Sequence, residues 1–77
     1  MKLNIKYFGM LAELTQCSEE TMVVEATTID ELLEQLFDKY PGLQEKDFQV
    51  AQDQQIVLKE NNITASELAL LPPFSGG

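Results

Sequence analysis

The stretch TIDELLEQLFDKY, residues 28–40, decides the fold that this sequence predicts. Thr28 and Glu31 match a capping box, in which each side chain bonds the backbone amide of the other residue. Pro41-Gly42 then ends the helix near Tyr40. The apolar side chains recur at the spacing of one helix face, at Ile29, Leu32, Leu33, Leu36 and Tyr40. The stretch therefore predicts an amphipathic helix with one buried side.

Five segments around this helix have the composition of β-strands. In residues 2–8, Leu3, Ile5 and Tyr7 alternate with polar residues, which is typical of a half-buried strand. Residues 68–71 are a continuous apolar run, whose length suits a strand that is buried on both sides. The predicted elements are strands 2–8, 21–25, 48–51, 55–58 and 68–71, and helices 9–15 and 28–40.

The order of these elements predicts an α+β roll, a mixed sheet packed on one main helix. Strands that are neighbours in sequence usually pair, so the first two strands form one hairpin and the next two another. The turn type of the second hairpin stays open, and residues 43–47 are predicted to be a polar connection. The last strand is expected at the centre of the sheet, with residues 1–71 forming one domain and residues 72–77 extending from it as a tail.

The charge of the chain argues against some partners. Among 77 residues, 13 acidic side chains face five lysines, which gives a net charge of −8. Nucleic acids and anionic membranes need cationic surface, so neither is expected as a partner. Attraction of basic partners and simple solubility both remain open as reasons for this charge. The lone Cys17 cannot form an internal disulfide, and no apolar run suits a membrane span or signal sequence, so a cytoplasmic location is expected.

The residue types that are missing exclude most chemistry within this chain. It has no histidine and one cysteine, which argues against a zinc or copper site built by this chain alone. The same shortage removes the usual catalytic triads and the commonest general base. No glycine-rich loop with a basic clamp is present, so a nucleotide site is not expected either. The chain is therefore expected to bind no metal or cofactor itself.

The chain ends in Pro72-Pro73-Phe74-Ser75-Gly76-Gly77, a segment that cannot continue a sheet or a helix. Residues 68–77 carry no charged side chain, so this end can enter a partner's cleft and bury only the charge of its terminus. Glycine has no Cβ, which lets the backbone pass a narrow channel and leaves the carbonyl open to attack. A free carboxylate must first be activated, for example as an acyl-adenylate. A frayed end is the alternative, but the buried strand and proline pair before it favour a threaded tail.

The ending LLPPFSGG, residues 70–77, resembles that of the small, sulfur-carrying subunit of molybdopterin synthase, a family with the ubiquitin-like β-grasp fold. Residues 5–9, IKYFG, are similar to the first strand of that family, and residues 28–33 to the start of its helix. Residues 67–71 resemble the approach to its tail. The family often has Asp-Glu where Ser66-Glu67 stands here, a departure outside the reacting end.

This resemblance implies a cycle in which other proteins act on the tail. An E1-like enzyme uses Mg-ATP to adenylate the carboxylate of Gly77, and a sulfur donor converts the adenylate to a thiocarboxylate. The carrier then docks on the large synthase subunit, which supplies the catalytic side chains, and gives its sulfur to cyclic pyranopterin monophosphate to form molybdopterin. Gly76, which has no side chain, is implied to let the tail enter the active site of the large subunit. The residues implied to thread and orient the tail are Pro72, Pro73, Phe74 and Ser75.

Two alternatives stay open beside this function. The same chemistry serves the carriers of thiamine thiazole synthesis and of tRNA thiolation, which differ in their partner. A ubiquitin-like protein modifier or a plain binding module belongs to another class.

Two single residues also have open roles. Phe8 breaks the alternation of its strand, so it either packs in the core or is exposed and forms a docking patch with Phe74. Cys17 is either an inert thiol or a sulfur relay. No cation neighbours it in the sequence to make it reactive, which favours the inert thiol.

Overall fold

The structure is a computed structural model that describes residues 1–73, and its main helix and sheet follow the predicted order. The predicted short helix is present between the first two strands. The elements are β1 (Lys2–Tyr7), α1 (Met10–Thr15), β2 (Glu19–Val23), α2 (Ile29–Lys39), a 3₁₀ helix (Pro41–Glu45), β3 (Gln49–Gln52), β4 (Gln55–Val57) and β5 (Glu67–Leu71).

The five strands form one mixed sheet in the order β2-β1-β5-β3-β4. β1 and β5 are parallel, whereas β1–β2, β3–β4 and β3–β5 are antiparallel. Both hairpins and the central position of the last strand are thus confirmed. Two hairpins joined through a parallel central pair, with one main helix packed across them, are the ubiquitin-like β-grasp arrangement.

The capping box begins α2 as predicted. The amide of Glu31 donates to Thr28 Oγ1 over 3.3 Å, and Glu31 Oε1 accepts from the amides of Thr27 (2.7 Å) and Thr28 (3.1 Å). These backbone hydrogen bonds lower the pKa of the Glu31 carboxyl. The helix ends where Tyr40 donates its amide to the Leu36 carbonyl.

One apolar core lies between α2 and the sheet. The strands contribute the inward half of their alternation, and the helix contributes its predicted apolar side. The buried apolar residues are Leu3, Ile5, Tyr7, Leu11, Val24, Ile29, Leu32, Leu33, Leu36, Leu43, Val50, Leu68 and Leu70.

The predicted polar connection at residues 43–47 is wrong at its start. Residues 41–45 form the 3₁₀ helix, and Leu43 is fully buried in the core. Pro41 at the first position has a φ preset for a helical turn, and this turn directs Leu43 inward. Burial of one leucine therefore decides the conformation of a segment in which Pro41, Gln44 and Glu45 are exposed.

The second hairpin closes with a turn type that its residues do not predict. Asp53 and Gln54 have φ values of 52° and 64°, and positive φ at both central residues defines a type I′ turn. Such turns favour Asn-Gly, whereas the strand pairing on both sides imposes this one on Asp-Gln.

Strand β5 is buried on one side only, so the expectation of burial on both sides is wrong. Leu68 and Leu70 face the core, whereas Ala69 and Leu71 on the other side stay partly exposed. The opposite face of the sheet is not covered by any of residues 1–73. Within that range, no helix has the length and apolar character needed to cross a membrane.

Candidate functional site

Strand β5 brings the chain to the predicted tail. β5 ends at Leu71, Pro72 after it is half-buried and Pro73 is exposed. The predicted tail residues Phe74, Ser75, Gly76 and Gly77 lie outside the residues that the structure describes, so their roles stay predictions. The boundary between a domain of residues 1–71 and a tail of residues 72–77 also stays a prediction.

The loop between β1 and α1 touches the first residue of that tail. Gly9 has φ 60° and ψ −136°, a backbone conformation that is open essentially to glycine alone. A Cβ placed on Gly9 would lie 3.0 Å from Cγ of Pro72. The amide of the preceding Phe8 donates to the Leu70 carbonyl over 3.2 Å. The loop therefore contacts the chain on both sides of Leu71, the last residue of β5.

The open face of the sheet carries a shallow groove of about 450 Å³ next to this loop. Phe8 is 45% exposed and lies at its edge, which decides against the core position for this side chain. Lys6 and Glu67 form an ion pair of 3.6 Å across the neighbouring strands. The lining residues are Lys6, Phe8, Ala51, Asp53, Gln54, Glu67, Leu68 and Ala69. The groove thus combines an exposed aromatic ring with small apolar and charged side chains.

A sequence profile decides the family. The profile of the ThiS family matches residues 5–77, nearly the whole chain. The chain belongs to the ThiS family. Its match extends through the last residue, so the family pattern includes the tail as well as the folded part.

Solved structures agree with the fold of this ThiS-family chain. SAMP1 from Haloferax volcanii is 24% identical, with a TM-score of 0.80 and 100% of each chain covered. A putative molybdopterin converting factor, subunit 1, from Pyrococcus furiosus is 18% identical with a TM-score of 0.85, over 95% of this chain and 98% of that one. A chain in the complex of subunits 1 and 2 of the molybdopterin-converting factor from Helicobacter pylori matches at 22% identity and a TM-score of 0.64, over 100% of this chain and 100% of that one. At these identities the likeness shows the β-grasp fold.

A polar cluster that the sequence did not predict lies on the helix-covered side of this ThiS-family domain. Glu20 Oε2 accepts from the hydroxyls of Tyr7 and Tyr40, each at 2.6 Å, and Glu20 Oε1 accepts from Lys39 Nζ at 2.5 Å. The rings of Tyr7 and Tyr40 meet edge to face, with 6.1 Å between their centroids. The cluster links β1, β2 and the end of α2.

The cluster shifts the titration of its members. Burial opposes ionisation of Glu20, but the hydrogen bonds from Lys39, Tyr40 and Tyr7 outweigh it and lower the pKa of this carboxyl. Burial, together with the Glu20 carboxylate, raises the pKa of both tyrosine hydroxyls far above the usual range. All three partners thus hold one charged carboxylate in place. One signal for this cluster was available in the sequence. Tyr7 lies on the predicted buried side of its strand, and buried tyrosine hydroxyls usually find a hydrogen-bond partner.

Cys17 lies apart from the open-face groove. It is half-buried in the loop after α1, and its Sγ contacts Thr15 Oγ1 at 3.7 Å. The hydroxyl of Thr15 in turn donates to the backbone. The structure shows no role for this thiol in sulfur transfer, and the relay stays an untested alternative.

Proposed function

We propose that this chain is a sulfur carrier and serves as the small subunit of molybdopterin synthase, in the cytoplasm. The observation that carries the proposal is the exit of the chain from β5. A central strand with one buried side leads into a proline pair and an uncharged end with two glycines, within a chain that matches the ThiS family through residue 77. A rigid domain can thus present a slender carboxylate to another protein.

The chemistry requires other proteins, because the ionised carboxylate of Gly77 is a poor electrophile. An E1-like enzyme with Mg-ATP joins it to AMP and releases pyrophosphate. A donor at the oxidation level of sulfide then displaces AMP, which leaves a thiocarboxylate. Hydrolytic transfer of that sulfur to cyclic pyranopterin monophosphate regenerates the carboxylate. The catalytic side chains belong to the large subunit, and this chain needs no cofactor of its own.

The open-face groove supports a docking role. Phe8 is exposed at the β1 end that lies beside Pro72, so a partner that receives the tail meets this ring as well. Aromatic side chains are enriched at interfaces, where their large area is buried at low entropic cost. The solved complex of the two subunits of a molybdopterin-converting factor supports the large subunit as the partner.

Two other carrier roles keep the same chemistry with a different acceptor, and a modifier role changes the nucleophile. The family that the profile names and the likeness to SAMP1 leave room for thiazole synthesis, tRNA thiolation or protein modification. In the modifier role, a lysine amine of a target protein attacks the adenylate in place of sulfide. The partner and the acceptor, rather than the carrier fold, therefore distinguish these functions.

Intact-mass measurement tests the proposal. The chain is incubated with its E1-like partner, Mg-ATP and a sulfide donor, and a mass gain of one oxygen-for-sulfur exchange is expected at Gly77. The product is then mixed with the large subunit and cyclic pyranopterin monophosphate, and molybdopterin is measured. A chain without Gly76-Gly77 is the control, since it keeps the folded domain and loses the reacting end.

The outcomes separate the functions. An unchanged mass contradicts any sulfur carrier. A thiocarboxylate that forms molybdopterin supports the proposal, whereas one that serves only thiazole synthase or a tRNA-thiolating enzyme supports the other carriers. Isopeptide conjugates to lysine that end in Gly-Gly support a modifier, and full function of the truncated chain supports a binding module.

A further inference from the structure

The loop between β1 and α1 and the start of the tail form one contact that the proposed chemistry does not by itself require. We propose that Gly9 is a positioning residue that fixes the direction in which the chain leaves the domain, by supporting the ring of Pro72 against the loop. The inference rests on the proposed function for its consequence and on the Gly9–Pro72 contact for its geometry.

The first step is that the loop is held rigidly. The Phe8 amide donates to Leu70 O at 3.2 Å, the Leu11 amide to Phe8 O at 3.1 Å and the Ala12 amide to Gly9 O at 3.1 Å. Gly9 thus lies between the sheet and the first turn of α1, with hydrogen bonds on both sides. Residues with a Cβ rarely adopt its φ of 60°, so few other residues fit this position.

The second step is that the contact leaves no room. A Cβ on Gly9 would lie 3.0 Å from Cγ of Pro72 and 3.9 Å from its Cβ and Cδ. The proline ring itself fixes φ of Pro72, so this residue has little freedom to move away. The absence of a side chain at Gly9 is therefore what allows Pro72 to pack here.

The third step is the length of chain that depends on this contact. Five residues follow Pro72, and when extended they reach roughly 17 Å at about 3.3–3.6 Å per residue. A change in the direction of the chain at Pro72 thus changes the position from which this whole segment starts. Displacement of a reacting group by about 1 Å can cost about 100-fold in rate.

The test measures the direction of the tail and the rate of sulfur transfer in separate experiments. In a Cys17→Ser chain, spin labels on Ser75→Cys and Glu34→Cys report the distance between the tail and α2. Gly9→Ala introduces the Cβ, and Pro72→Ala removes the ring without changing the backbone of the loop. Gly42→Ala is the matched control, because its Cβ meets Leu14 at 3.2 Å and its φ is ordinary.

We expect Gly9→Ala and Pro72→Ala each to broaden or shift the distance distribution, and Gly42→Ala to leave it unchanged. Without labels, Gly9→Ala should lower the single-turnover rate of sulfur transfer about tenfold or more, while Kd for the large subunit changes by less than about threefold. The two changes should not add, since either removes the same contact. That non-additivity distinguishes positioning from simple strain at Gly9.

Distance distributions that stay unchanged in both variants overturn the inference, and so do effects that add in the double variant. A wild-type chain that accepts no sulfur refutes the proposed function instead. In that case the distance distributions still decide whether Gly9 positions the tail.

Discussion

The two faces of the sheet are made by the same strands, yet only one of them is covered by the helix. On the covered face, side chains from β1, β5 and α2 form a continuous apolar core. On the open face, Lys6, Phe8, Glu67 and Ala69 form a groove with mixed character. The difference shows that strand alternation separates the side chains that pack in the core from those that stay accessible among residues 1–73. Changes on the two sides should therefore separate stability from partner binding.

The largest effect on stability is expected from Leu36→Ala. Leu36 is fully buried in the core beneath α2, and loss of a buried leucine side chain costs about 2–5 kcal/mol of unfolding free energy. Urea denaturation followed by circular dichroism measures the change. Leu58→Ala is the control, because Leu58 is 61% exposed and should change the unfolding free energy by less than about 0.5 kcal/mol. Equal losses in both variants would contradict the assignment of the core.

A smaller loss of unfolding free energy is expected from Glu20→Gln. This carboxylate lies on the covered face and accepts hydrogen bonds there. Two tyrosine hydroxyls and Lys39 donate to Glu20, and hydrogen bonds to a charged group contribute about 1.5–3 kcal/mol each at most. The amide keeps the shape but loses the charge, so we expect a loss of about 1–3 kcal/mol in unfolding free energy.

The pH dependence of Glu20→Gln checks the cause. The pKa of Glu20 is lower in the folded state than in the unfolded one, so its contribution is present above the unfolded pKa of about 4.3 and is lost as the pH falls through the folded pKa. Wild type should lose unfolding free energy more steeply than Glu20→Gln below about pH 4.3. Identical slopes in that range would assign the effect to packing rather than to charge.

The smallest effect on stability is expected on the open face. Phe8→Ala should change the unfolding free energy by less than about 1 kcal/mol, because the ring is 45% exposed. The same change should weaken binding to the large subunit by about 1–2 kcal/mol, or roughly 5- to 30-fold in Kd. Calorimetric titration measures the affinity, with Leu58→Ala as the control, because Leu58 is an exposed apolar residue outside the groove. A Phe8→Ala chain that binds with wild-type affinity would remove this ring from the docking surface.

The sequence predicted the features that depend on local periodicity. The helix from Thr28 to Tyr40 is confirmed with its cap, because capping and amphipathic spacing act within one segment. Strand β2 begins at Glu19, two residues before the predicted start, since pairing with β1 extends it beyond its β-branched residues. The exposure of Phe8 could not be decided from alternation alone.

The features that depend on distant contacts were missed. Leu43 is buried because the core lies beneath it, and no neighbouring residue in the sequence indicates this. Glu20, Tyr7 and Tyr40 meet only after β1, β2 and α2 have assembled. The partial exposure of Ala69 and Leu71 likewise reflects the lack of a second layer among residues 1–73, which the apolar run of β5 does not reveal.

The parallel pairing of β1 with β5 has a consequence for folding. These strands come from opposite ends of the described chain, and β5 also joins the β1–β2 hairpin to the β3–β4 hairpin. Closing such a long loop is entropically costly and makes folding slow relative to domains with local contacts. A chain that lacks β5 would have two unconnected hairpins, which are marginally stable by themselves. Strand β5, which leads into the predicted tail, is thus also the strand that completes cooperative folding, so only a fully folded domain holds Pro72 in its native position.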